Sequence, residues 1–364
     1  MHKTSAWPLA LMYVGLIIYA SLYPFADWRD QGIEPWAFLF AALPKYWTGF
    51  DVAINVAGYA PLGFLLALSA LRSGLTDRPV IVAVVAGAGL SLVMETLQSY
   101  LPMRVPSNVD FALNTVGACL GAIVAWLLEI AGVVAHWSRF RARWFVEDAR
   151  GALVMLALWP MALLFPAAVP LGLGQVLERV EAALADALED TPFLDWLPVR
   201  DVELQPLVPS AELVCVMLGA LVPCLIGYSV IRSRRQRAVF AVVMLGLGLG
   251  ASALSAALSY GPAHAFEWLS LPVRVGLWAG AALAVLLLAV PRRGCAALAL
   301  MALVLHLSVL NQAPASAYFW QTLQTWEQGR FIRFNGLAQW LGWLWPYAAL
   351  VYVIGRVSQR ELEN

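Results

Sequence analysis

Asp51, Asn55, Glu95, Gln98, Arg104, Asp110 and Asn114 place carboxylates, carboxamides and one guanidinium within a stretch that is otherwise apolar enough for lipid. Inside a bilayer each such side chain is costly, which makes it a candidate for function. Their spacing is regular. Asp51-Val-Ala-Ile-Asn55-Val-Ala-Gly58 and Asp110-Phe-Ala-Leu-Asn114-Thr-Val-Gly117 both read D-x-x-x-N-x-x-G. Residues at i, i+4 and i+7 share one helical face, so each segment presents a stripe of acid, amide and glycine. Glu95 and Gln98, at i and i+3, share a face as well. Such a set suits several chemistries. Arg104 matches a phosphate or carboxylate, and the amides supply hydrogen bonds. Asp51, Glu95 and Asp110 together have the oxygen ligands for a divalent cation, and Glu95 alone has the chemistry of a general acid or base.

Structural duties compete with each of these. Asp51 and Asp110 stand where helix N-caps stand, a role worth about 1 kcal/mol. Asn55, Gln98 and Asn114 are suited to hydrogen bonding between helices, at roughly 0.6 kcal/mol per bond. Glu95 is harder to explain away: a buried carboxylate must pair, bind a cation or take up a proton. An ion pair with Arg104 is the simplest solution. The glycines at the ends of the stripes allow a neighbouring helix close approach.

The elements that position these groups follow from composition. Of 364 residues, 61% are hydrophobic and 13% charged, and mean hydropathy is +0.74. Soluble domains carry about 25% charge, so the expected fold is all-α, a polytopic transmembrane helical bundle. About ten segments reach the roughly 20 apolar residues that a crossing requires: 7–25, 53–71, 80–101, 110–135, 151–171, 211–231, 238–259, 273–290, 294–310 and 336–355. Only Pro291-Arg292-Arg293-Gly294 divides the eighth from the ninth. With both termini in the cytoplasm, every cytoplasmic connection is basic, including Arg139 to Arg150 and Arg232 to Arg237, as the positive-inside rule requires. The run after the N-terminal apolar segment lacks a small-residue cleavage site, so that segment is read as a retained anchor.

This topology places the polar residues at one depth. The second and fourth segments enter from the outside and the third runs outward. At 1.5 Å per residue Glu95 lies about 10 Å below Pro102, and Asn55 and Asn114 about 6 Å below their aspartates. All belong to the outer half of the bilayer, under a short loop carrying Arg104 and Asn108. Residues 1–140 are expected to form a four-helix domain and 141–364 a second domain of about six helices. Amphipathic segments at 174–190 and 315–334 are expected outside the membrane, on its surface or capping the bundle.

Other functions find no support. P-loop, dinucleotide, G-x-S-x-G and H-E-x-x-H signatures are absent from the sequence, and no cofactor or metal centre is expected. Cys119, Cys215, Cys224 and Cys295 lack paired spacing and read as small core residues. His306 reads as a packing histidine before a proton relay. The Arg clusters suit topology and anionic lipid, not nucleic acid.

The repeated D-x-x-x-N stripe, Pro61-Leu62-Gly63, E-x-x-Q at 95–98, Arg104, the run Gly117-x-x-x-Gly121 and the opening Tyr19-Ala-Ser-Leu-Tyr-Pro-Phe25 together resemble the VanZ-like family over about residues 10–130. That resemblance implies a protein of the bacterial cytoplasmic (inner) membrane, in a family named for glycopeptide (teicoplanin) resistance. It supplies no mechanism. The expected partners are membrane lipid and a lipid-linked envelope precursor or amphipathic antibiotic. A membrane-embedded enzyme acting on a lipid-linked phosphate, and an assembly protein whose polar groups only fasten helices, stay open beside this.

Overall fold

Helices account for nearly all regular structure in the computed structural model, which describes residues 6–23, 25–43, 49–74, 78–165, 167–196, 205–314 and 332–358. In chain order they are α1 (Ala6–Leu22), α2 (Gly49–Ser73), α3 (Pro79–Gln98), α4 (Asn108–Ile130), α5 (Val133–Trp144), α6 (Arg150–Ala162), α7 (Leu177–Leu188), α8 (Pro209–Tyr228), α9 (Arg234–Tyr260), α10 (Leu271–Leu286), α11 (Arg292–Leu310) and α12 (Ile332–Ser358). A lone antiparallel bridge joins Phe145 to Ile231. The fold is all-α and polytopic. Among the described residues, 7 helices (α2, α3, α4, α8, α9, α10 and α11) are long and apolar enough to cross a membrane. Apolar α1 and α6 are shorter, at 17 and 13 residues.

The chain divides into two compact units, Met1–Ala142 and Arg143–Asn364. In the first, α2 and α4 run side by side with α3 against both and α1 against α2 and α3. Small residues set the seam. A Cβ on Gly121 would overlap the Ala60 carbonyl, one on Gly117 the Val56 carbonyl, and one on Gly63 the Ala118 carbonyl. Backbones this close gain dispersion contacts that no larger side chain permits, the usual basis of helix association in lipid. The sequence pattern assigned the same duty to Gly58, but nothing lies within 4 Å of a Cβ there. Gly58 faces α1 instead, its carbonyl accepting from the Tyr13 hydroxyl at 2.9 Å. The two stripes share a pattern and differ in their glycine contacts.

In the second unit α8 is the central element, buried continuously from Leu218 to Tyr228 and flanked by α6, α9, α10 and α11. His306 on α11 is buried, and its Nδ1 lies 3.1 Å from the Cys215 carbonyl of α8. At that distance the histidine fastens α11 to α8. The expected helix over 151–171 ends at Ala162. Pro160 and Pro170 remove backbone donors, and residues 167–176 are irregular, with positive φ at Leu171 (59°) and Gly174 (93°). Non-helical backbone at this depth must be satisfied by neighbours. Gly174 N–H donates to the Gly342 carbonyl at 2.8 Å, its carbonyl accepts from Tyr347 Oη at 3.1 Å, and Asn311 Oδ1 accepts from the N–H groups of Val176 and Leu177. Amphipathic α7 follows, with Leu177, Val180 and Leu184 exposed. Most of the second amphipathic segment expected from sequence, 315–334, lies outside the described residues.

Candidate functional site

Four helix ends meet in the first unit: the C-termini of α1 and α3 and the N-termini of α2 and α4. Hydrogen bonds across this end involve Asn55, Glu95, Gln98, Arg104, Asp110 and Asn114. Asn55 Nδ2 on α2 donates to Asp110 Oδ1 on α4 at 2.9 Å. Gln98 Nε2 donates to the Ser21 carbonyl at 3.0 Å. Arg104 donates to the carbonyl of Tyr23 at 2.6 Å and reaches that of Ala20 at 3.5 Å. Glu95 Oε2 accepts from the backbone N–H of Ser107 at 2.8 Å. Asn114 Nδ2 donates to Ser91 Oγ at 3.0 Å. Asp51 is exposed in the first turn of α2, and Asn55, one turn deeper, donates to α4.

Helix electrostatics explain part of this arrangement. Ser107 is the N-cap of α4, its Oγ accepting from the Asp110 N–H. Glu95 therefore places its carboxylate at the partially positive start of a helix, where an anion is favoured. Arg104 does the converse at the end of α1, where carbonyls lack intrahelical partners.

Deeper in, the polar set leaves binding capacity unused. Glu95 is 3%, Asn114 5% and Tyr59 5% exposed. Asn114 Oδ1 and Tyr59 Oη are both buried without a hydrogen-bond partner. The Tyr59 hydroxyl lies close to Ser91 and within the field of Glu95, though outside good hydrogen-bonding geometry to the serine. An acceptor and a hydroxyl left unpaired in an apolar interior each cost roughly 1–3 kcal/mol, and native interiors rarely leave them so. The three helices α2, α3 and α4 thus bring Tyr59, Ser91 and Asn114 together below the level at which Glu95 meets Ser107 and Asn55 meets Asp110.

Tyr59, Ser91 and Ser107 were not among the sequence candidates. Ser91 stands four residues before Glu95 and Tyr59 four after Asn55, so the i, i+4 rule that tied the stripes together would have reached both. The three-carboxylate cation site is not assembled: Asp51 is exposed, Asp110 is bridged to Asn55, and among the described residues no group of three or more His, Cys, Asp or Glu comes together.

A chemical description of this end is a carboxylate, carboxamides and hydroxyls at helix-end depth, with an arginine anchored above them. Residues 6–129 match the family model described as VanZ/LLP1, which makes the first unit VanZ-like; the match does not extend to residues 143–364. No curated protein matches the chain, and no solved structure does either.

Proposed function

We propose that this VanZ-like membrane protein binds the polar part of an amphipathic, lipid-linked envelope molecule at the end of its first unit where Glu95, Arg104 and Asn114 gather. The reading places that end at the outer face of a bacterial cytoplasmic membrane, with the termini inside. One observation carries it: Asn114 Oδ1 and Tyr59 Oη are buried and unpaired beside the Glu95 carboxyl, so a hydroxyl-rich or amide-rich headgroup would find partners already in place. Arg104, seated on the carbonyls that end α1, supplies the cationic rim that a phosphate or carboxylate requires.

The test is binding of a fluorescent polyprenyl phosphate, and separately of teicoplanin, to the protein in lipid nanodiscs. Asn114→Leu and Tyr59→Phe are each expected to weaken binding about 10-fold, the equivalent of one buried hydrogen bond at about 1.4 kcal/mol, while Tyr59→Phe leaves thermal stability equal or higher because an unpaired polar atom is removed, and Asn114→Leu lowers it by losing the hydrogen bond to Ser91. Unchanged affinity for both ligands in both variants rejects the proposal.

A second reading has its own support. Glu95 and Arg104 already serve helix ends, which is what a protein using its polar groups only as fasteners would show. Under that reading the same two variants change stability alone.

A further inference from the structure

The loops around the polar end carry large apolar side chains that no helix face explains. Phe40 is 90%, Val105 84% and Met103 80% exposed, and Ile33, Trp36 and Leu43 are exposed beside them in sequence. Helix flanks in a membrane protein are expected to show such residues to lipid; connecting loops in water are not, because each exposed apolar group there gives up the gain of burial. The loops are also held in place. Arg29 N–H donates to the Tyr100 carbonyl, Gln31 Nε2 to the Ser99 carbonyl at 2.7 Å and Asn108 Nδ2 to the Ala41 carbonyl at 2.7 Å. Phe38 is buried while Phe40, two residues on, turns outward. The display is therefore built by the fold.

We propose that lipid acyl chains are the partner of this surface: the 33–43 and 102–106 loops dip into the bilayer, and the ligand of the polar end arrives sideways from the acyl layer with its tail along Phe40, Met103 and Val105. The occupant follows from the setting. These residues sit at the ends of apolar spanning helices, where the bilayer interface must fall, and aromatic and aliphatic groups at that level partition into it. The tail path rests on the headgroup reading above; immersion of the loops does not.

Single nitroxide labels at Phe40→Cys, Met103→Cys and Val105→Cys, in a Cys119→Ala background that leaves only the buried cysteines, read the depth in liposomes. The expected result is relaxation by oxygen several-fold stronger than by a water-soluble nickel chelate, as at the lipid-facing α4 standard Val124→Cys. Dominance of the nickel chelate overturns the proposal, and so does weak relaxation by both agents, which would mean that protein covers the loops. A second arm compares a long-chain polyprenyl phosphate with water-soluble glycerol phosphate. Val105→Asp is expected to weaken the former several-fold and leave the latter unchanged; equal affinity for the long chain refutes the tail path. Labels immersed in lipid with no binding of either phosphate would leave immersion standing and remove the headgroup reading alone.

Discussion

Asn55 and Asp110 illustrate how much one pair of side chains carries. Asn55 is the amide of one repeated stripe and Asp110 the acid of the other, and they meet across α2 and α4 at 2.9 Å. Truncating one partner strands the other, so Asn55→Leu is expected to lower stability by about 1–3 kcal/mol. Replacing both, as Asn55→Leu with Asp110→Leu, is expected to cost less than the two single changes combined, since neither side chain is then left without its partner in the bridge. Denaturant titration of the four proteins in detergent gives the coupling; strict additivity would mean that the bridge contributes nothing. Arg104→Gln follows a different logic. Its removal leaves the carbonyls of Ala20 and Tyr23 without their cation, a loss expected at about 1 kcal/mol and read as a lower melting temperature.

At the scale of elements, the α2–α4 seam separates what a pattern can reveal from what it cannot. The period of 3.6 residues located the faces that meet, and the Asn55–Asp110 bridge lies on them. It could not say which glycines lie at the contact, because a few tens of degrees of helix rotation decide that, and rotation is set by tertiary packing. Gly58→Ala is accordingly expected to be neutral or to stabilise by up to about 1 kcal/mol through helix propensity. Gly121→Ala, whose Cβ would overlap the Ala60 carbonyl, is expected to destabilise by about 1–3 kcal/mol as the helices part. Equal melting temperatures for the two variants would show that the seam is looser than described. The early end of α6 has a similar lesson. Hydropathy registers burial in apolar surroundings, and Leu163, Phe165, Val169 and residues 171–174 are buried, but it does not register whether backbone groups bond along a helix or to Asn311, Tyr347 and Gly342. Pro160 and Pro170 were the available signals.

Across the whole molecule, the proposed topology rests on the charge pattern and the helix ends. Basic residues stand at the starts of α9 (Arg234, Arg235) and α11 (Arg292, Arg293) and at the end of α12 (Arg356). If these three ends face the cytoplasm, α9 and α11 run outward and α10 and α12 return. In the first unit, if the Arg139 end faces the cytoplasm as well, the polar end is external, because α1 and α3 reach it by their C-termini and α2 and α4 leave from it. Some of the basic residues have a second duty that composition could not disclose. Arg237 is buried and donates to the carbonyls of Leu288 and Val290, where α10 has ended, so it would resist translocation both as a cation and as a fastened element. Membrane-impermeant maleimide tests the arrangement in intact cells. Cysteine at Glu34 or Glu267 is expected to react without permeabilisation, and cysteine at Arg139, Arg235 or Arg293 only after it. Reaction of the Arg235 or Arg293 position in intact cells would invert the second unit. Reaction at Arg139 would move the polar end of the first unit to the cytoplasmic face, where an externally supplied envelope ligand cannot reach it.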